Sequence, residues 1–352
     1  MQDHRSTSVH RARALLAYIA LAACGDDPSI VSAPIDDKNE NQTQSGGPFK
    51  ALGAAANAPD VFSQPRAGVP LEDGAVAFIA VHEGAADEDV TRTGPRSVVF
   101  LQQPAEPGGT PPAPSALYDG DALVSPIDIE ASTDGQTLFV ADYAGGPEGA
   151  GAIVRLPRGG GEPDFVAQGW SPRSVTLGAD EALYFSGLDP ESGEAGVFRL
   201  VGDAVEPVFV GAPLVDPSGI AVFRDGRVLV ADTRLLDGGA MFDDLTASEA
   251  GVVLVDRGQA SVFATGFATG FPAGVALTLD EGTLIISGQG PDRRDTVYLV
   301  NTAAPRDLPT AVTDVFSEER DSSAGLKRAH DANVFIWASL SYQRGTVFRI
   351  DG

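Results

Sequence analysis

The stretch that decides the fold is Asp216-Pro217-Ser218-Gly219-Ile220-Ala221-Val222-Phe223-Arg224-Asp225-Gly226-Arg227-Val228-Leu229-Val230-Ala231-Asp232-Thr233. It reads as two short apolar strands joined by Asp-Gly, a dipeptide suited to a tight hairpin turn. Pro-x-Gly opens it and Ala-Asp-Thr closes it. Working outward, the first strand recurs as SPIDIEAS (125–132), SPRSVTLG (171–178) and FPAGVALT (271–278), with weaker copies at 65–72 and 322–329. The second recurs at 76–82, 137–143, 182–188, 283–289 and 334–340. A third strand follows each pair (96–102, 151–157, 195–201, 250–256, 295–301, 345–351). A fourth, with an aromatic near its end, follows at 115–120, 163–168, 206–211, 260–265 and 313–318.

A fixed period of this length signals a ring or stack of similar sheets. The sixth third strand ends the chain, so its sheet lacks a fourth. Ala58-Pro59-Asp60-Val61-Phe62-Ser63-Gln64 repeats the pattern of the segment 313–318 and precedes the first unit. The expectation is therefore an all-β, six-bladed β-propeller with four antiparallel strands per blade. The amino-terminal strand closes the last blade, with Val61-Phe62 pairing beside residues 346–350, and closure leaves only short, protected edges. Strands buried on both faces account for the apolar runs. Small residues in strand one (Gly219, Ala221, Gly274, Ala276) suit a crowded channel wall.

Composition agrees with this reading. The 352 residues include 41 Gly and 25 Pro, which favour many turns over long helices. No apolar run is long enough for a helical membrane span. The formal charge is −25, from 24 basic and 49 acidic residues. Such a surface repels nucleic acid and anionic lipid, so neither is an expected partner.

The amino terminus carries Arg5, Arg11 and Arg13, then the apolar run ALLAYIALAA (14–23), then Cys24, the one cysteine. This order describes a secretory signal. Leu21-Ala22-Ala23-Cys24 resembles the lipobox of bacterial lipoproteins, and the resemblance implies lipidation of Cys24 and anchoring to a bilayer. Residues 24–58 are polar and acidic, the composition of a flexible tether, with a reach on the order of 30 Å. The domain expectation is a signal over 1–23, a tether over 24–58 and a propeller over 59–352. The place is the bacterial cell envelope, lipid-anchored, periplasmic or surface-facing, as a monomer.

The decisive stretch, with its Pro-Ser-Gly-Ile-Ala-Val, Asp-Gly and Val-Leu-Val-Ala-Asp-Thr segments, is similar to the NHL repeat of six-bladed propellers. More broadly, residues 59–352 resemble the gluconolactonase-like superfamily. Those enzymes hold a metal with a Glu opening one inner strand, an Asn in a Pro-Asn-Gly-like motif and an Asp before a Gly. Here the corresponding segments read Pro65-Arg66-Ala67-Gly68, Pro217-Ser218-Gly219 and Ser323-Ala324-Gly325. The resemblance therefore implies the fold without the ligand set of the enzymes.

In this architecture the fourth-to-first and second-to-third links share one rim. That rim is expected to collect Asp142, Trp170, Arg173, Asp189, Asp216, Asp232, Asp292 and Tyr342 as ligand-binding residues. The longest link, 234–249, is placed to cap the channel mouth. A Ca²⁺ site built from rim oxygens would draw on Asp142, Asp232 and Asp243. No dedicated calcium-loop spacing appears, and solvated loop acids or turn-amide acceptors are the other readings of these residues. His82 beside Glu83 is the one general-base candidate, against an ordinary surface role. His330 falls on the opposite face. Trp170 and Tyr342 suit a sugar or peptide, or packing between blades.

The functional expectation is a lipid-anchored binding or scaffold module for a protein, glycan or small ligand. The alternative is a metal-dependent, lactonase-like propeller hydrolase or lyase with its site at the channel mouth. Rim carboxylates converging on one point would favour the enzyme.

Overall fold

A computed structural model describes residues 51–82, 96–106, 108–146, 149–235, 250–269, 273–289, 295–306, 309–312, 323–339 and 346–352. Every regular element among them is a strand. In chain order, β1 (Ala51–Asn57) precedes blade one, formed by β2 (Phe62–Pro70), β3 (Val76–His82), β4 (Ser97–Gln102) and β5 (Ser115–Tyr118). Blade two is β6 (Pro126–Ala131), β7 (Thr137–Asp142), β8 (Ala152–Pro157) and β9 (Asp164–Gln168). Blade three is β10 (Ser174–Leu177), β11 (Leu183–Leu188), β12 (Ala195–Val201) and β13 (Ala204–Val210). Blade four is β14 (Pro217–Val222), β15 (Val228–Asp232), β16 (Ala250–Asp256) and β17 (Gln259–Phe267). Blade five is β18 (Val275–Leu277), β19 (Thr283–Gln289), β20 (Asp295–Asn301) and β21 (Thr310–Val312). Blade six is β22 (Ser323–Arg328), β23 (Val334–Ser339) and β24 (Thr346–Asp351), completed by β1. The chain is thus a six-bladed propeller of four-stranded antiparallel sheets.

Each blade is a meander whose first two strands are joined by a short polar link. In blade four Gly226 turns at φ 87°, a left-handed conformation that glycine adopts without strain. The Asp225 carboxylate accepts from the Arg227 amide at 3.1 Å and fixes that turn. In blade five the left-handed position falls on Glu281 (φ 60°), one residue before the glycine of the pair.

The six blades meet at six interfaces, and each holds its own apolar cluster. Between blades one and two lie Val69, Ile79, Val99, Ile129 and Val140. Between blades six and one, Phe62, Phe78 and Phe100 pack with Ile336 and Val347. Between five and six, Trp337 and Phe335 pack on Ile285 and Val297. Apolar burial of this kind stabilises by about 25 cal/mol per Å². Blade spacing is set by glycine. A β-carbon on Gly219 would lie 2.4 Å from the Ala273 carbonyl oxygen of the next blade, and one on Gly274 would lie 2.2 Å from the Leu326 nitrogen.

The ring closes through the amino-terminal strand, but by a different segment from the one expected. β1 pairs with β24 from Ala51↔Asp351 to Asn57↔Thr346, with a bulge at Ala54/Ala56. Val61-Phe62 does not pair with β24. The Val61 and Phe62 amides both donate to the Ala58 carbonyl (2.9 and 3.0 Å), which makes 58–61 a turn. Phe62 then opens β2 opposite His82, fully buried and 4.8 Å from the Phe78 ring. Aromatic packing inside blade one therefore outweighs the pattern match to the segment 313–318. The closing strand also begins within the stretch read as tether, eight residues before 59. The expected fourth strand of blade five (313–318) lies outside the described residues, and β21 ends just before it.

Candidate functional site

Two regions of the ring concentrate polar chemistry: the rim formed by the fourth-to-first and second-to-third links, and the central channel. On the rim, Asp142 ends β7 and is fully buried. Its carboxylate accepts from the amides of Val124 (2.6 Å), Ser125 (2.8 Å) and Ala144 (3.2 Å). Asp232 ends β15 and repeats this arrangement with Val215 (2.7 Å), Asp216 (3.0 Å) and Arg234 (3.0 Å). In both, burial raises the carboxyl above its usual range, opposed by the amides. These two acids therefore clamp the links that lead into β6 and β14, and their oxygens are turned to backbone N–H groups.

The other rim residues divide in the same way. Arg173 pairs with Asp216, and its guanidinium lies 5.2 Å from the Tyr143 ring centroid. Asp216 also accepts from the Thr233 hydroxyl at 2.7 Å. These contacts join the tops of blades two, three and four. Asp189 folds back on its own turn, accepting from Ser192 Oγ (2.7 Å) and the Glu191 amide (3.2 Å), and these bonds lower its carboxyl pKa. Trp170 packs against Phe198 (4.5 Å between ring centroids) and Phe185 (6.3 Å) between blades two and three. His82 Nδ1 stands 3.8 Å from Asp119 Oδ2, while Asp119 is taken up by Arg96 at 2.7 Å. Glu83, Asp243, Asp292, Tyr342 and Cys24 lie outside the described residues.

The channel holds what sequence reasoning missed. Aligned on their hairpin registers, the inner strands place Ala67, Asp128, Ser174, Gly219, Gly274 and Gly325 at one level. Two residues further on stand Val69, Glu130, Thr176, Ala221, Ala276 and Lys327. At both levels blades one, four and five carry only small or apolar side chains. Blades two, three and six break that pattern with charges and hydroxyls.

These groups bond to each other. Lys327 Nζ lies 2.8 Å from Asp128 Oδ2 and donates to the Val175 carbonyl oxygen. Both charged side chains are almost wholly buried, at 5% and 3% exposure. Asp128 also accepts from Ser174 Oγ and from the Val175 (3.0 Å) and Ile129 (3.0 Å) amides. One level on, Glu130 accepts from Thr176 Oγ1 (3.1 Å) and the Ala131 amide (3.0 Å). His330 Nε2 contacts the Ala131 carbonyl oxygen at 3.0 Å, which makes that nitrogen the donor, and stands 3.9 Å from Glu130. Arg328 donates to the Leu277 carbonyl oxygen (2.7 Å), and burial lowers its pKa against the opposing charge of Glu130.

In a ring of six, blades three and six stand opposite one another. Lys327 starts on blade six and ends on a carbonyl of blade three and a carboxylate of blade two. At that level the channel is no wider than one lysine can span. A buried ion pair is tolerated only when its remaining donors and acceptors are satisfied, which the surrounding hydroxyl and amides achieve.

Among the described residues no His, Asp or Glu side chains form a group of three or more able to hold a metal ion. Of the inner-strand positions compared with the lactonase ligands, Ser218 is buried and accepts the Ala273 amide at 2.8 Å, and Arg66 brings a cation.

No family model matches the chain, and no curated protein matches it by sequence. Solved structures do match it in fold. A gluconolactonase from Xanthomonas campestris aligns at 15% identity and TM-score 0.54, over 85% of this chain and 89% of that one. A protein of unknown function from Bacteroides thetaiotaomicron aligns at 12% identity and TM-score 0.57, over 85% and 75%. The PQQ domain of a pyranose dehydrogenase from Coprinopsis cinerea aligns at 10% and 0.54, over 86% and 95%. At such identities the likeness is one of architecture, which hosts many activities: this chain is a six-bladed propeller similar in fold to lactonase- and dehydrogenase-type propellers.

Proposed function

We propose that the protein is a binding module of the bacterial cell envelope, anchored by a lipid on Cys24, that engages a protein or glycan with its rim. The observation that carries this reading is the Lys327 side chain lying across the channel. That side chain sets a buried ion pair of the chain's own across the channel. Two rim carboxylates named as metal candidates, Asp142 and Asp232, are committed to backbone amides. The rim also carries the Arg173–Asp216 pair beside the Tyr143 ring, its side chains 13% and 15% exposed, a small polar edge suited to a polar or planar group. The acidic surface favours partners that carry positive charge.

The competing reading, a metal-dependent lactonase-like hydrolase or lyase, has the shared fold in its favour. A paired assay separates the two. The purified protein is screened against glycan and peptide arrays beside its Arg173→Ala variant. In parallel it is assayed for lactone hydrolysis with Ca²⁺, Zn²⁺ and Mn²⁺. Array binding that falls in the variant, with no metal-dependent turnover, is the expected result. Turnover that appears with a metal and disappears with chelator overturns the reading. The anchor is tested separately by fatty-acid labelling of cells. Label in the native protein and none in Cys24→Ser is expected, and equal label in both contradicts the anchor.

A further inference from the structure

We propose that the channel is a cation site whose cation is built in: the Lys327 ammonium occupies it and holds blades two, three and six in register. The inference is independent of what the rim binds. Four observations carry it. The acceptors around Nζ are oxygens of the kind that hold hard cations, a carboxylate (Asp128) and a backbone carbonyl (Val175). They come from two different blades, and the cation is delivered by a third. The group is removed from water, with 5% of the lysine side chain and 3% of the aspartate side chain exposed. Finally, the Asp128 carboxylate has one cation set directly against it, with Lys327 Nζ 2.8 Å from its Oδ2.

That charge count specifies the site. With the ammonium removed, Asp128 is left buried with one uncompensated negative charge and no water to solvate it. The vacancy then matches one positive charge, shaped like an alkylammonium and lined by carbonyl, carboxylate and hydroxyl oxygens. A divalent ion would bring one charge too many. An internal ammonium also makes ring order independent of free metal, because the cation is present wherever the chain is folded.

The test is truncation with chemical rescue. Lys327→Ala removes the methylenes beyond the β-carbon together with the ammonium. Its melting temperature is expected to fall by about 6–10 °C, from the usual loss when one partner of a buried pair is deleted. Refolding in n-propylammonium chloride should restore several degrees, in proportion to the logarithm of its concentration. Propanol, which fills the same volume without charge, should not. The wild type should melt at the same temperature with Ca²⁺, with chelator and with propylammonium.

Three outcomes overturn the proposal. One is a variant as stable as the wild type. Another is equal rescue by propanol, which would mean that the lysine stem matters and its charge does not. The third is rescue by Ca²⁺ where the alkylammonium fails, which would contradict the single-charge count. Should Lys327→Ala fail to fold alone, recovery of folded protein in propylammonium supports the proposal, and no recovery in either additive counts against it. The double variant Lys327→Met with Asp128→Asn is the second check. It should melt above both single variants, since it removes both charges, and a double variant less stable than either refutes the pairing.

Discussion

Removing the Asp142 carboxylate should loosen the rim without unfolding the ring. In Asp142→Ala three amides lose their acceptor, at 2.6, 2.8 and 3.2 Å. A hydrogen bond to a charged group contributes about 1.5–3 kcal/mol, and a buried donor left alone costs about 1–3 kcal/mol. Two terms reduce the sum. Val124 is 59% exposed, so water reaches the link and recovers part of the loss. The carboxylate itself is held unfavourably, since burial raises its pKa, and that cost vanishes with it. The net expectation is a loss of about 2–4 kcal/mol. In a chain of this size that is a fall in melting temperature of about 4–8 °C. Hydrogen exchange gives a local readout: the Val124, Ser125 and Ala144 amides should lose protection, while those of β16 and β17 keep theirs. A shift below about 1 °C with unchanged protection at those amides would refute the clamp.

Gly219→Ala should destabilise by about 1–3 kcal/mol through overpacking, because its β-carbon would meet the Ala273 carbonyl oxygen; unchanged denaturant midpoint would show that the blades can part. Phe62→Ala should cost about 3–5 kcal/mol by emptying the Phe78–Phe100 cluster, whereas deleting residues 51–57 should open the ring and expose the β24 edge to limited proteolysis. The pH dependence has a definite sign. Asp142 and Asp232 have folded pKa values raised above 3.8, so the native state holds more protons and their contribution to stability falls as pH rises through that window. Asp142→Asn should therefore flatten the stability profile just above pH 3.8. Asp134, Asp189 and Asp280 are lowered below 3.8, so their contribution is lost as pH falls through their folded values, and a profile with no loss below pH 3.8 contradicts their turn bonds.

The architecture was legible because one hairpin is repeated. A single unit such as 216–233 is ambiguous, but a Pro-x-Gly strand, a polar turn and an Ala-Asp ending that recur around it leave little choice of fold. The closing strand was not legible. Ala51–Asn57 reads ALGAAAN, with neither β-branched nor aromatic residues, and it becomes a strand only because β24 offers it a ladder. The aromatic of Val61-Phe62 pointed to the wrong segment, since the same ring that marks an outer strand also fills a core. On the rim, the turn-amide reading of Asp142 and Asp232 was available from their place at the end of strand two. The channel cluster was hidden in plain strands, because SPIDIEAS and SAGLKR each look like solvated alternation when read alone. Set level by level, the inner strands place Asp128, Glu130 and Lys327 where blades one, four and five carry small or apolar residues.

The central claim, that charge on blades two and six joins across the channel, is tested most directly by a double-mutant cycle on Lys327 and Asp128 followed by denaturant unfolding. Lys327→Met and Asp128→Asn should each cost about 3–5 kcal/mol. The pair together should cost less than their sum by about 2 kcal/mol or more. Losses that simply add would mean that the two side chains do not interact, and the braced channel would have to be abandoned.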